Sequence, residues 1–386
     1  MKAPGFTRRE FLAGTAAATS LIVTPLPLYA ADDEEAADAL GADANYLKRP
    51  WKTTPYDPAP LTYTFDELEK HWDKLLRGYQ IPFPSPEYLR KRYSRYPQMW
   101  KELKFQDEDY AMHSRNTLEV WLLLFRGDFQ AARNLGYEYG GFSRVPAIFA
   151  QIIYAIYLAE TLKEKHALLQ DAANAVTDLS TVFQPRPQDD QEYRADYAMI
   201  RLGYTYAMCR IAEDVSIGTA LIRDYVGKVF VASNDILAVY PEHPLGLALS
   251  AGIHANVIRR GGKLASNIVF GANVNDARGR FETSFAMAPD IALTRFEYAN
   301  TLLYIDSDKE IDESIKQLEL ATTFVPRHAV EALDIAYARK RLAEVKDFKA
   351  SGGGFFGYDR KRRKHQNRGK INLYDVLAEP FLVSQS

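Results

Sequence analysis

From about residue 115 to residue 346, apolar side chains recur every three or four positions in long segments separated by short breakers. No run alternates strictly between hairpin signals, so the pattern predicts helix throughout this region. Upstream, Phe65, Leu68, Trp72, Leu75 and Leu76 share one face of a helix predicted over residues 65–79. Thr64 is its cap and Glu67 stands three places on, the spacing at which the two residues satisfy each other's free backbone N–H groups. Pro82, Pro84 and Pro86 break that helix, and Ser85-Pro86-Glu87 opens another, because the fixed φ of proline suits the first helical position. The fold class is therefore expected to be all-α.

Helices are expected to stop near Pro185, Pro241, Pro289 and Pro326, at intervals of 56, 48 and 37 residues. The last interval is close to the roughly 34 residues of a tetratricopeptide unit, and the longer ones would be such units stretched by inserted loops. Ala277, Phe281, Ser284 and Pro289 stand at the offsets where that repeat places small, aromatic, small and proline, and Ser314, Leu318, Ala321 and Pro326 repeat the series. Packing supplies the reason: small residues let the two helices of a hairpin approach, while the large one fills the groove between neighbouring hairpins. Val330, Leu333 and Tyr337 carry the register into a final helix, on which Arg339, Lys340, Arg341, Glu344 and Lys346 suit an exposed capping face. Earlier hairpins are predicted at residues 117–139, split at Gly127-Asp128, and at 146–183, followed by the pair 193–213 and 219–240. The middle of the chain thus divides into an N-terminal helical segment (63–112) and a tetratricopeptide-like helical-hairpin solenoid or bundle (113–350).

The two ends differ from this body. Thr7-Arg8-Arg9-Glu10-Phe11-Leu12 sets paired arginines before an apolar run, with Ala30 as cleavage residue, so residues 1–30 read as a twin-arginine export signal. A retained membrane anchor is the alternative, but Gly14, several alanines, Pro25 and Pro27 leave the run weakly apolar for a spanning helix. Residues 31–62 are acidic, then rich in proline and alanine, and read as a disordered leader. Residues 351–386 form a Gly-rich basic tail, in which Gly352-Gly353-Gly354 precedes Phe355, Phe356 and the basic stretch 360–364. The tail either docks on an acidic partner or anionic lipid, or packs back on its own helices. The expected address is the periplasm.

Composition removes several functions. The whole chain carries a formal charge of −2, and cleavage of the signal would leave 45 basic and 49 acidic side chains, so no basic field exists to track nucleic acid. Cys209 is the one cysteine, which excludes an internal disulfide, a zinc cluster or an all-cysteine iron–sulfur site. Twin-arginine export often serves cofactor-loaded redox enzymes, yet no Gly-x-Gly-x-x-Gly follows a strand pattern, and no Cys-x-x-Cys-His or His-Glu-x-x-His occurs. Gly261-Gly262-Lys263 lacks the Ser/Thr of a phosphate loop and reads as a turn between helices. A non-catalytic protein with no cofactor is expected.

The remaining candidates are weighed by residue type. Asp306, Asp308, Glu310, Asp312 and Glu313 resemble a calcium loop, but its glycine and bidentate glutamate positions hold Ile311 and Gln317, and acids also gather at helix starts. Asp189, Asp190 and Glu192 read the same way. The seven histidines include no pair at helical i, i+4 spacing, and Cys209 reads as a small buried residue. Tyr193, Tyr197, Ile200, Tyr204, Met208 and Ile211 make one apolar stripe, and Ala198, Leu202, Tyr206 and Cys209 a second face of the same helix. A helix apolar nearly all round is sandwiched between others or lines a cavity, where tyrosine hydroxyls supply orienting contacts. Tyr197, Tyr204 and Met208 are the ligand-binding candidates on it, with Asn300 and Tyr304 as further wall candidates.

The stretch Ala277-Arg278-Gly279-Arg280-Phe281-Glu282, then Ala288-Pro289 and Phe296-Glu297-Tyr298-Ala299, together with the long loop 261–275, resembles the tetratricopeptide-like T component of tripartite ATP-independent periplasmic (TRAP) transporters. That resemblance, which spans at most residues 115–345, extends to relatives implicated in bacterial sterol trafficking. It implies helix pairs around an apolar cavity or pore, and a binding or scaffold role in transport of a small, largely apolar, lipid-like molecule. The partners it implies are a transporter or solute-binding protein and the apolar molecule; a second copy of the chain is a further expected partner. This sequence lacks the family's lipobox cysteine and carries a basic tail foreign to it. A protein–protein adaptor of an envelope or enzyme assembly is the alternative.

Overall fold

The computed structural model describes residues 45–54, 61–186, 189–215, 217–262, 266–267 and 271–351. The export signal and the basic tail lie outside the described residues. Within them the chain is all-α, with fifteen helices and no strand. In order these are α1 (Asn45–Lys48), α2 (Phe65–Leu75), α3 (Pro86–Arg95), α4 (Pro97–Lys101), α5 (Tyr110–Arg126), α6 (Phe129–Tyr139), α7 (Arg144–Tyr157) and α8 (Leu162–Val182). There follow α9 (Gln191–Asp214), α10 (Ile217–Ile222), α11 (Tyr225–Val239), α12 (Pro244–Gly261), α13 (Val274–Met287), α14 (Ala292–Thr323) and α15 (Ala329–Ser351). No helix among the described residues is long and apolar enough to cross a membrane.

Local chemistry sets the boundaries. Thr64 and Glu67 form the reciprocal capping box of α2, and Ser85 caps α3 with Pro86 at its first position. Gly127 closes α5 in the left-handed region (φ 95°), where a side chain would be strained. Asp190 accepts from the N–H groups of Glu192 and Tyr193 at the start of α9, while Asp189 takes two hydrogen bonds from Arg95 at 2.6 and 2.8 Å. Those acids are cap and ion pair. The acidic run at 306–313 marks a bend instead: Asp306 leaves helical geometry (φ −163°, ψ 84°) and splits α14.

Successive helices pack as hairpins, α5 with α6, α8 with α9, α12 with α13 and α14 with α15. The residues picked out by the sequence register sit in these seams. Ala277, Phe281 and Ser284 are fully buried, as are Ser314, Leu318 and Ala321. Ser284 donates its hydroxyl to the Pro244 carbonyl at the start of α12, and Ser314 donates to that of Ala299, which pins together the two halves of α14 on either side of the Asp306 bend. Arg341 departs from the expected exposed capping face: it is 2% exposed and donates to Asn300 and Glu344. Asn300 of α14 covers it; α15 also has a second neighbour. It packs on α14 and also on α5, with Phe125 stacked on His328 and Tyr157 hydrogen-bonded to Asp334. Hairpins in an open solenoid meet only their neighbours in sequence. Here the last helix meets the first of the set.

The N-terminal segment runs along the row of proline-bearing turns. Lys74 O accepts from Arg327, Leu75 O bonds to His328 Nε2 (3.2 Å), and Tyr79 O to His243 Nε2 (3.1 Å). Arg77 pairs with Asp290, Tyr240 donates to Gln80, and a methyl group at Gly78 would meet Ile291 at 2.5 Å. His243 and His328 each accept a helix-start N–H at Nδ1, from Gly246 and Glu331. With an N–H on one side and a carbonyl on the other, each ring must carry its proton on Nε2. Burial lowers both, His243 to about 4, which keeps them neutral. Part of the segment expected to be a disordered leader is also docked: α1 packs on α8, and Trp51 stacks on Tyr154 at 4.3 Å.

Trp72 joins this strap to the body, edge-on to Phe83 and Trp121, with its indole N–H on the Ile81 carbonyl at 2.7 Å. Trp72→Ala is expected to cost about 3–5 kcal/mol of unfolding free energy, measured by denaturant titration. A loss below about 1 kcal/mol would show that the strap does not fold with the body.

Candidate functional site

Five long helices, α7, α9, α11, α12 and α14, leave a cavity of about 110 Å³ between them, with Ala220 of α10 and Tyr79 of the strap completing its wall. The wall is predominantly apolar: Phe149 and Ile153 from α7, Leu202 from α9, Val226 and Val229 from α11, Leu245 and Ile253 from α12. The space is there because small residues face it. Gly252 lies in the wall, and a methyl group built on it would meet no atom within 4 Å.

Polar side chains gather where α9, α12 and α14 converge. Arg210 donates to Glu213 (2.8 Å) and to Glu297, and Arg260 donates to the Glu213 backbone carbonyl at 2.8 Å. Asn256 reaches the Glu213 carboxylate, and Tyr206 lies against the Arg210 guanidinium. Burial pushes both carboxyls up; at Glu213 the charge of Arg210 outweighs burial and the net shift is downward, whereas at Glu297 burial prevails. Burial likewise pushes the Cys209 thiol up, so this wall residue is a poor nucleophile. Behind the cluster, burial raises Asp334 to about 7 despite the hydrogen bond from Tyr157, with Glu331 and Glu297 adding to the rise. No group of three or more metal-ligating side chains occurs among the described residues.

The residues singled out on α9 do not line this cavity. Tyr197 and Met208 are buried among the helices, and Tyr204 is half-buried with the Arg201 guanidinium 5.1 Å from its ring centre. The wall uses the other face of the same helix, Leu202, Tyr206 and Cys209 with Arg210 and Glu213. Asn300 accepts from Arg341 at 2.9 Å between α14 and α15, and Tyr304 lies under Arg259 at 4.1 Å. Neither lines the cavity. One signal for the face that lines the cavity was present in the sequence: Arg210 and Glu213 are charges three apart on a helix otherwise apolar enough to be sandwiched.

A second cavity of about 30 Å³, the room of one water, adjoins Tyr88 and Asp196. Asp196 accepts from Tyr88 and from Arg92, whose guanidinium lies between the rings of Tyr88 and Tyr193 at 4.2 and 4.0 Å. This set closes the α3–α9 seam.

The fold and the cavity define an all-α protein with a small, mainly apolar pocket between its helices. Comparison with protein-family models, curated proteins and solved structures returns no match for this chain.

Asp334 gives a pH signature. Its folded value, about 7, lies above the 3.8 of an unperturbed aspartate, so the folded chain holds the proton more tightly. The stabilisation is complete below about pH 4 and is lost as pH rises to about 7. Asp334→Asn keeps a neutral acceptor for Tyr157 and removes the titration. Between pH 4 and 8 the variant is expected to gain stability relative to wild type by about 2–4 kcal/mol. Denaturant melts across that range check this, and a constant difference would refute it.

Proposed function

We propose that the chain is a non-catalytic periplasmic binding or scaffold component that assists transport of a small, largely apolar molecule. The observation that carries this reading is the 110 Å³ apolar cavity lined by five helices. Ligand sites are concave and mostly apolar with a few convergent polar groups, and this wall has that composition. Size narrows the cargo. A cavity of about 150 Å³ holds benzene, and drug-sized ligands need about 300–1,000 Å³. The cavity therefore suits a benzene-sized body or the end of a longer chain, and a whole fused-ring lipid would need the helices to part. The tetratricopeptide-like register at residues 277–289 and 314–326, the twin-arginine motif and the resemblance to the transporter T component supply the cellular setting of the proposal.

An adaptor role is the second reading. It draws on exposed apolar side chains of α10 and α11, Leu221, Ile222 and Val231, with Ile222 at 85% exposure.

Gly252→Leu separates the two. The new side chain enters open space in the wall, and replacing glycine inside a helix favours the fold by up to about 1 kcal/mol. The variant is expected to melt no lower than wild type while losing the rise in melting temperature that toluene gives the wild-type chain. An unchanged toluene response in the variant, or none in wild type, would overturn the binding reading; partner capture unaffected by the substitution would favour the adaptor.

A further inference from the structure

We infer that the cavity's occupant is an uncharged molecule with an apolar body and one hydrogen-bonding oxygen, and that the Tyr79 hydroxyl reads that oxygen. This rests on the cavity being a binding site, as proposed above.

Charge comes first. The wall holds two guanidinium groups and two carboxylates, and they are already engaged: Arg210 spans Glu213 and Glu297, and Arg260 is bonded to the Glu213 backbone. A carboxylate or ammonium entering this predominantly apolar space would shed its water against a wall whose formal charges sum to zero, which is unfavourable. An uncharged body loses nothing comparable.

Tyr79 then supplies an orienting contact, in addition to Asn256 Oδ1 and Arg210 Nε, buried polar atoms of the wall that have no hydrogen-bond partner among the described residues. Its ring is in the wall, edge-on to Phe149 at 5.9 Å, and its hydroxyl makes no hydrogen bond with any described residue. The other tyrosine of the wall, Tyr206, is already engaged with Arg210. The position of Tyr79 is set by its backbone: its N–H bonds to Leu76 O and its carbonyl to His243. The next residue, Gln80, is held in the left-handed region at φ 55°, with its side chain bonded to Arg77 O and to Tyr240. A non-glycine residue kept there costs stability and is retained only where surroundings over-determine it. The turn thus holds the Tyr79 ring in the cavity wall with its hydroxyl unbonded.

The test uses four probes of one skeleton, toluene, benzyl alcohol, benzoate and benzylammonium, titrated calorimetrically into the full chain at pH 7, with Tyr79→Phe as the variant. Benzyl alcohol is expected to bind wild type most tightly, and each ion at least about tenfold more weakly. Tyr79→Phe should weaken benzyl alcohol about three- to tenfold and leave toluene within about twofold, the signature of one lost neutral hydrogen bond. Tightest binding by either ion would overturn this inference while leaving the cavity reading intact. Equal weakening of alcohol and toluene would show that Tyr79 only packs, and would overturn its assignment. If no probe binds wild type, the cavity reading itself falls. The ranking on the wild-type chain needs no variant, so it decides the charge question even if Tyr79→Phe folds poorly.

Discussion

Two neutral histidines hold this architecture in register. His243 and His328 each take an N–H from the start of a helix on one ring nitrogen and give a proton to the strap on the other, at Tyr79 O and Leu75 O. Helix starts carry N–H groups with no partner inside the helix, and the strap has carbonyls left over where α2 ends. One imidazole satisfies both. Because burial keeps the rings neutral, the link needs no counter-charge, and it ties the turns before α12 and α15 to one continuous piece of chain.

That tie positions everything inside. With the turns aligned on the strap and α15 returned against α5, the inner faces of α7, α9, α11, α12 and α14 converge on a common volume. Small residues on α12, Ala248 and Gly252 among them, keep the volume from being filled. The polar cluster of Arg210, Arg260, Glu213 and Glu297, two charges of each sign and partly buried, closes one part of it. Such a cluster is costly to break and adds little to stability when complete, so its physical effect is to fix how three helices meet. Tyr79 belongs to the strap yet reaches the cavity. The element that organises the turns is therefore also the one that contributes Tyr79 to the cavity wall.

Much of this was legible in the residues. Capping chemistry is local, so Thr64 with Glu67 and Ser85 with Pro86 marked their helix starts without reference to anything distant. The small–aromatic–small series at Ala277, Phe281 and Ser284 marked a seam, because only closely packed helices require it. Periodicity identified α9 as a helix with too much apolar surface for one neighbour. These are short-range properties of side-chain size and spacing, and the all-α class follows from them.

Tertiary structure decided the rest. Which face of α9 lines the cavity depends on the angle at which α8, α11 and α12 meet it, and no spacing along one helix encodes that angle; Tyr204 and Met208 were as eligible as Tyr206 and Cys209. Arg341 has the composition of a surface residue and is buried where it meets Asn300 of α14, some forty residues upstream. Residues 45–54 have the composition of a leader and dock because Trp51 finds Tyr154. In each case the sequence determined what a segment could do locally, as helix, cap or seam, while the meeting of segments far apart in the chain determined which side chains face the cavity, since burial and contact are properties of the assembled helices and not of any one of them.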